Sequence, residues 1–457
     1  MTIDCLLRPR SVAIVGASGN PHKIGGRPLH YMLQQGFAGT LYPVSQRGEP
    51  VQGVRSHASL HELPEAPDCV VLSVPAEAAR EQLQACAAVG ARSAVLFSSG
   101  FAELGEAGRA EQRRLAECAA DAGLRLLGPN TIGCANFATG AVLSFASIFT
   151  GFAPQDGPVA IVSQSGAVGA SAYALLRDYG VGVRYFCATG NQADVDVVDF
   201  LGAVLADEGV RVVLLYFEEV RSRDSLAAAL AHAAARGVPV IALCSARTAS
   251  GARMADCHTG AAGLRDPGLA ELFAAHGCHQ VRSVAEMSAA VPLWLTPLTP
   301  AAKPPPRVAV ISNSGASCVL GADACDAHAL PLAQLGSTTR ERLDALLPPF
   351  SRSRNPVDLT AMLLANPALL EDCVRAVLMD DGCDAAALSL LAIAGPGYDV
   401  ARFARETAAA MRASGKTLAF SSPDPRVRAQ FAAQGIAVFA GEFEALAALA
   451  TRAPAPP

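Results

Sequence analysis

The chain has 457 residues, too many for one ordinary core, and its size implies two to four domains. Hydrophobic residues make up 51% and aromatic residues only 5%, a balance that favours close-packed α/β layers over a ring-stacking or carbohydrate-binding surface. With 36 basic against 41 acidic residues the formal charge is −5, so no polyanion-binding field is present and nucleic acid is not an expected partner.

The N-terminal stretch MTIDCLLRPRSVAIVG runs directly into a strand-like segment without the apolar region and cleavage site of a secretory signal. No apolar run reaches the roughly 18 residues of a membrane span. A cytoplasmic location without a membrane partner is the expectation. The 13 cysteines are scattered singly, with no CxxC, and several fall inside apolar patterns such as DCVVLSV and PVIALC. Reduced, mostly buried thiols are expected in preference to bridges or a zinc site.

Strand-like runs alternate with helix-length Ala/Leu/Glu/Arg segments along the chain: SVAIVGA, TLYPVS, CVVLSVPA, SAVLFSSG and LRLLGPN, then VAIVSQSG, VRVVLLYFEE and VPVIALC, and finally RVAVISNSG, LAFSSP and IAVFAG. This rhythm predicts βαβ units with right-handed crossovers, hence doubly wound parallel sheets. A long segment of weak periodicity, TIGCANFATGAVLSFASIFTGFAPQDGP, and the Pro-rich LTPLTPAAKPPPR divide the strands into three sets. The expected organisation is a Rossmann-like domain over 1–127, a connecting segment over 128–154, a flavodoxin-like domain over 155–294, a linker over 295–306, a second flavodoxin-like domain over 307–452 and a tail over 453–457.

An internal echo supports the division. VAIVSQSGAVG starts at Val159 and VAVISNSGASC at Val308, 149 residues further on, which aligns Ser163 with Ser312, Ser165 with Ser314 and Gly166 with Gly315. Two variants of one strand–turn–helix opening are expected.

The first turn, VAIVGASGNPHKIGG, sets Gly16, Gly19, Gly25 and Gly26 around a strand end and a helix start. Such a turn lets backbone amides approach a phosphate, with the helix N-terminus adding partial positive charge. A structural βα turn reads the same way, and the sequence is not GxGxxG. The second strand ends YPVSQRG and lacks the acid that grips a ribose hydroxyl pair; Arg47 suits a phosphate better. The expected ligand carries an extra phosphate, as coenzyme A does on its ribose. A nicotinamide-dependent dehydrogenase fits poorly, because fingerprint and ribose acid are both missing.

Several phrases in order, SVAIVGAS, YPV, SVPA, SSGFAELGEAG, LGPNTIG, VSQSGAVG, GNQADVD, YFEE, HTG, SNSG and NPVDL, together resemble the NDP-forming acyl-CoA synthetases, relatives of succinyl-CoA ligase, over nearly the whole chain. The resemblance implies a first domain that binds coenzyme A across Gly16, Ser18, Lys23, Arg47, Ser73, Pro75 and Phe101. It also implies a transiently phosphorylated histidine, His258 in CHTG, oriented by the carboxylate of Glu218 at the end of VVLLYFEE. A neutral imidazole is a nitrogen nucleophile near pH 7 once a partner fixes its tautomer, whereas one of nine histidines can equally decorate a loop.

A phosphorylated imidazole carries roughly two negative charges, by analogy with other phosphorylated side chains, and needs preorganised donors. Helix N-termini supply them. Ser163, Gln164, Ser165 and Gly166 open one helix; Asn313, Ser314 and Gly315 open the other; both are expected to point at the phosphoryl group, with ordinary serine-capped turns as the alternative. Asn130 in LGPNTIG is a further candidate for substrate or phosphate, and a simple turn explains it equally.

The chain departs from the family pattern near this site. Cys257 precedes the histidine where Ser is usual, Cys244 and Ala246 stand where Lys and Gly are common, and Glu219 replaces a frequent Gly. Neither an ATP-grasp unit nor a Walker motif is present. The resemblance therefore implies an α subunit, in a hetero-oligomer, with ATP or ADP and Mg2+ held on a separate ATP-grasp β subunit. The co-substrate is a small carboxylic acid or its acyl-CoA; acetate, longer acids and aryl acids stay open. A non-catalytic CoA or acyl-CoA sensor is the alternative that the substitutions leave.

Overall fold

The structure, a computed structural model, describes residues 3–46, 48–246, 248–251, 253–254, 268–296, 305–349, 351 and 354–451. Residues 1–284 and 285–457 form two compact units. The first contains two sheets and the second contains one.

The first sheet runs through β1 (Ser11–Val15), β2 (Thr40–Val44), β3 (Cys69–Leu72), β4 (Ser93–Leu96) and β5 (Arg125–Leu127), ordered β2-β1-β3-β4-β5 with every pairing parallel. All residues of β1, β3 and β4 are buried, as expected for parallel strands covered by helices on both faces. Strand order reverses between β1 and β3, so the crevice beyond their carboxyl ends is the place where such a sheet takes a ligand. The glycine-rich turn lies there.

The second sheet holds β6 (Gly133–Asn136), β7 (Ala141–Ser144), β8 (Val159–Ser163), β9 (Val183–Ala188), β10 (Val212–Phe217), β11 (Val240–Cys244) and β12 (His279–Val281), ordered β12-β11-β10-β8-β9-β6-β7. The strands from β8 to β12 pair in parallel. β6 and β7 do not: they come from the segment read as a connector, and β6 pairs antiparallel both with β9 and with β7, which forms the outer edge. Each has only four residues, too few to show a period amid Gly, Thr and Asn.

Several of the chain's few aromatics gather behind this extension. Phe149, in a helical turn over Ile148–Gly151, meets Phe137, Tyr173 and Phe186 at ring-centroid distances of 5.2, 5.1 and 5.3 Å, edge to face in each case. The N-terminal turn Asp4–Leu7 docks on the same strand, since Asn136 Nδ2 donates to Leu7 O at 3.0 Å and Cys134 Sγ to Leu6 O at 3.5 Å. Beside it, Tyr185 OH donates to Asp207 Oδ2 at 2.7 Å and accepts from Arg8 Nη2 at 2.7 Å.

The third sheet comprises β13 (Val308–Ser312), β14 (Val357–Asp358), β15 (Ala385–Ser389), β16 (Thr417–Ser421) and β17 (Ala437–Phe439), ordered β14-β13-β15-β16-β17 and entirely parallel. β14 is two residues long and leaves most of one edge of β13 without a strand partner. The side chain of Asn355 takes that role: Oδ1 accepts from Val310 N at 2.8 Å, and Nδ2 donates to Val308 O at 2.8 Å and Ala333 O at 3.1 Å. None of the 12 described cysteines is in a disulfide, and all but Cys118 are buried. Among the described residues no helix is long and apolar enough to cross a membrane.

Replacing Asn355 with Ala removes the acceptor of Val310 N and a donor to each of Val308 O, which keeps Ala333 N, and Ala333 O, at a half-buried strand edge. The expected cost is about 2–4 kcal/mol, read as a lower denaturation midpoint of the residue 285–457 unit.

Candidate functional site

The turn after β1 is held open by its own backbone. Gly16 sits at φ +80°, and a Cβ there would fall 2.3 Å from Ser73 O; one on Gly25 would fall 2.1 Å from Gly16 O. Only glycine allows the ends of β1 and β3 to close in this way. Ser18 N donates to Gly25 O, and Ser18 Oγ accepts from Asn20 N at 3.2 Å. Gln52, absent from the sequence reading, braces both sides of the loop by donating from Nε2 to Ser18 O at 3.0 Å and Gly26 O at 2.9 Å.

The structure thus brings Gly16, Ser18 and Ser73 together, with Lys23 exposed on the loop and Pro75 exposed ahead of the helix Ala76–Ala88. Arg47 lies outside the described residues. Phe101 differs from expectation: it is 1% exposed and belongs to the core of the first sheet, so its ring is unavailable to a ligand. The resemblance set Phe101 against coenzyme A, yet the ring turns inward.

Beside Phe101, the half-buried Glu103 links this loop to the second sheet. Its Oε1 accepts from Gly100 N at 2.6 Å and its Oε2 from Asn191 Nδ2 at 2.6 Å. Burial works against the charge, but these donors hold the carboxyl below its ordinary range. Asn191 Oδ1 in turn accepts from Asn130 Nδ2 at 3.1 Å. Asn130, at φ +57°, therefore joins LGPN to GNQAD, and Gly190 must be small because a Cβ would lie 2.4 Å from Asn130 O.

At the carboxyl edge of the second sheet, Ser165 caps the helix Gly166–Asp178 by accepting from Val168 N at 3.4 Å. Ser163 donates its hydroxyl to Ser165 O at 2.6 Å. Gln164 turns inward: it is 2% exposed, and its Oε1 accepts from Glu218 N at 2.8 Å and Glu219 N at 3.3 Å. Ser163 and Gln164 thus shape the turn, and the face left for an anion is the helix start at Ser165 and Gly166.

Glu218 follows β10 and is 5% exposed. Its Oε1 accepts from Tyr216 OH at 3.0 Å, and Tyr216 shares a 2.9 Å hydrogen bond with Ser245 Oγ. Burial, with Glu218 beside it and Ser245 opposing, pushes the Tyr216 phenol up to about 12, so it remains a donor. Neither hydroxyl is legible in the sequence as part of a site. His258 and Cys257 lie outside the described residues. Cys244 ends β11, and Ala246 takes φ +58°, a conformation that glycine adopts without strain.

The opening of the third sheet repeats this construction with different chemistry. Asn313 clasps Leu391 by accepting from its N–H at 2.9 Å and donating to its carbonyl at 2.9 Å, as Gln164 clasps Glu218. Ser312 pairs with Ser389 as Ser163 pairs with Tyr216, so Leu391 occupies the position of Glu218. Ser314 makes no cap bond to the helix Gly315–Ala327. A Cβ on Gly315 would lie 2.9 Å from Asp358 Oδ2, so a carboxylate already faces this helix start.

Three family models match in series: a CoA binding domain over residues 10–136, a succinyl-CoA ligase like flavodoxin domain over 156–294 and a Ligase-CoA domain over 308–427. Fold and models together define a ligase-type protein built on a CoA-binding domain. The chain is 32% identical over 360 residues to the α subunit of ADP-forming acetate–CoA ligase II of Pyrococcus furiosus, covering 79% of this chain and 76% of that relative. It is 31% identical over 390 residues to a trans-feruloyl-CoA synthase of an unknown prokaryotic organism, covering 85% of this chain and 55% of that longer protein. Acetyl-coenzyme A synthetase 1 of Ca. Korarchaeum cryptofilum, solved with phosphate and ADP, superposes with a TM-score of 0.82 at 25% identity, over 98% of this chain and 96% of that one. The chain belongs to the NDP-forming acyl-CoA synthetase family.

Ala246→Gly removes a left-handed alanine beside the site. The expected gain in stability is about 0.5–1 kcal/mol, the relief of strain exceeding the added freedom of the unfolded chain, read as a rise in the melting temperature.

Proposed function

We propose that this chain is the CoA-binding, phosphohistidine-carrying subunit of an ADP-forming acyl-CoA synthetase, with the ATP-grasp module, its nucleotide and Mg2+ on a separate β subunit. The net reaction is carboxylate + CoA + ATP giving acyl-CoA + ADP + phosphate. His258 attacks the terminal phosphorus of ATP, releasing ADP. The carboxylate substrate then takes the phosphoryl group from the imidazole, and the CoA thiol displaces phosphate from the acyl phosphate.

The observation that carries this reading is the buried Glu218, whose backbone N–H donates to Gln164 Oε1 and so ties the acid to the turn that opens the helix Gly166–Asp178. An imidazole donating one N–H to that carboxylate presents its other nitrogen as nucleophile, and the helix start offers amides to the phosphoryl oxygens. The related turn of the third sheet has Leu391 where the acid stands, which supports the second sheet as bearer of the histidine.

For coenzyme A, the position of the glycine-rich turn beyond the carboxyl ends of β1 and β3, where the strand order reverses, supports a phosphate-bearing ligand near Ser18, Lys23 and Pro75, with Arg47 as a further candidate. The ligase names of relatives over about three quarters of the chain favour catalysis over the sensor alternative. Those named for acetate and trans-feruloyl-CoA support a carboxylic acid as co-substrate.

Incubation of the chain with its ATP-grasp partner, Mg2+ and γ-labelled ATP should produce acid-labile, base-stable label that His258→Gln abolishes. Gly166→Val should cut that label by about 100-fold or more, because a Cβ already falls 2.8 Å from Ile132 Cγ1 and the larger side chain covers the helix start. CoA affinity, measured by calorimetry, should stay within about twofold, since the variant leaves the first sheet's turn intact. Equal labelling of Gly166→Val and the unaltered chain would refute the cradle.

A further inference from the structure

We infer that Tyr216, backed by Ser245, is the positioning residue that fixes the carboxylate of Glu218 toward the imidazole of His258; this rests on the phosphohistidine reading above. The phenol has one hydrogen, and it goes to Glu218 Oε1 at 3.0 Å. The 2.9 Å bond to Ser245 must then take its hydrogen from the serine, so three residues form a directional chain from Ser245 through Tyr216 to Glu218. Each donor in such a chain polarises the next, and the negative end lies on the carboxylate.

The trio is placed by the strands. Glu218 comes two residues after Tyr216, just past the end of β10, and the bond between the phenol and Oε1 shows that both side chains lie on the same side of the sheet edge. Tyr216 pairs with Leu243 in β11, and Ser245 stands two residues beyond that partner, with its N–H on Phe217 O at 3.3 Å. Glu218 is thus held at both ends, its backbone N–H by Gln164 Oε1 and its Oε1 by the phenol. A carboxylate 5% exposed and fixed in this way keeps one orientation while a phosphoryl group comes and goes.

The repeat in the third sheet separates this role from generic strand-end packing. By the same register, Tyr216, Glu218 and Ser245 correspond to Ser389, Leu391 and Pro423. Ser389 Oγ bonds instead to Ser317 Oγ of the neighbouring helix at 3.1 Å. The scaffold is present twice, whereas the hydroxyl chain accompanies only the acid.

Rapid-quench labelling of the chain reconstituted with its ATP-grasp partner, Mg2+ and γ-labelled ATP tests the inference. In Tyr216→Phe, which keeps the ring, the rate of histidine phosphorylation should fall about 10-fold. The ATP concentration at half-saturation should stay within about twofold, and the melting temperature within a few degrees. Ser245→Ala should act in the same direction with a smaller loss. In a Glu218→Gln background, Tyr216→Phe should cost nothing further, because the phenol acts through the carboxylate. An unchanged rate in Tyr216→Phe, or a loss that adds in full to that of Glu218→Gln, overturns the inference and leaves the phosphohistidine reading standing. Absence of label in the unaltered chain, or label that survives His258→Gln, overturns that reading and this inference with it.

Discussion

The side-chain amide of Gln164 is the interaction on which the candidate phosphoryl site depends. Its Oε1 takes the backbone N–H groups of Glu218 and Glu219, while its main chain donates to Tyr216 O and accepts from Gly190 N. One residue thereby fixes the helix start after β8, the acid after β10 and the GNQ loop after β9. These are three segments that no regular ladder joins, because each lies beyond the end of its strand. An uncharged amide suits the position: it satisfies buried N–H groups and adds no cation that would trap a phosphoryl group.

Asn313 performs the corresponding task in the third sheet, one methylene shorter and with both ends of its amide on Leu391. Two copies of one architectural device thus surround different chemistry. In the second sheet the acid and the hydroxyl chain stand beside the clasp; in the third, leucine and proline take their places and the carboxylate of Asp358 faces the helix opening. The repeat separates the clasp, which both sheets share, from the acid and hydroxyls, which only the second carries.

Much of the architecture was legible because parallel strands buried on both faces read as continuous apolar runs, and β1, β8, β10 and β13 are buried along their whole length. β6 and β7 escaped notice because four-residue strands carry too little period, and their pairing depends on aromatic neighbours distant in sequence. Within the site, the turns and Glu218 were visible through their flanking phrases. The direction of a side chain was not. Gln164 and Asn313 suit a ligand equally well on paper, yet each turns onto the next strand. Phe101 sits in a loop-like phrase and packs inward. Tyr216 and Ser245 were hidden because a phenol inside an apolar strand reads as core, and only the cross-strand register brings a hydroxyl from β11 to it.

The docking of Leu6 and Leu7 on β6 bears on how such a chain can be rearranged. The polypeptide enters by leaning on the second sheet, then builds the first, then returns to add β6 and β7 to the second. The two sheets are laced together, and severing the chain after β5 would strand both the opening turn and the antiparallel edge. Shuffling of modules by gene fission or permutation would therefore have to move this pair as a single cassette, with the boundary between the two compact units, after residue 284, as the natural seam.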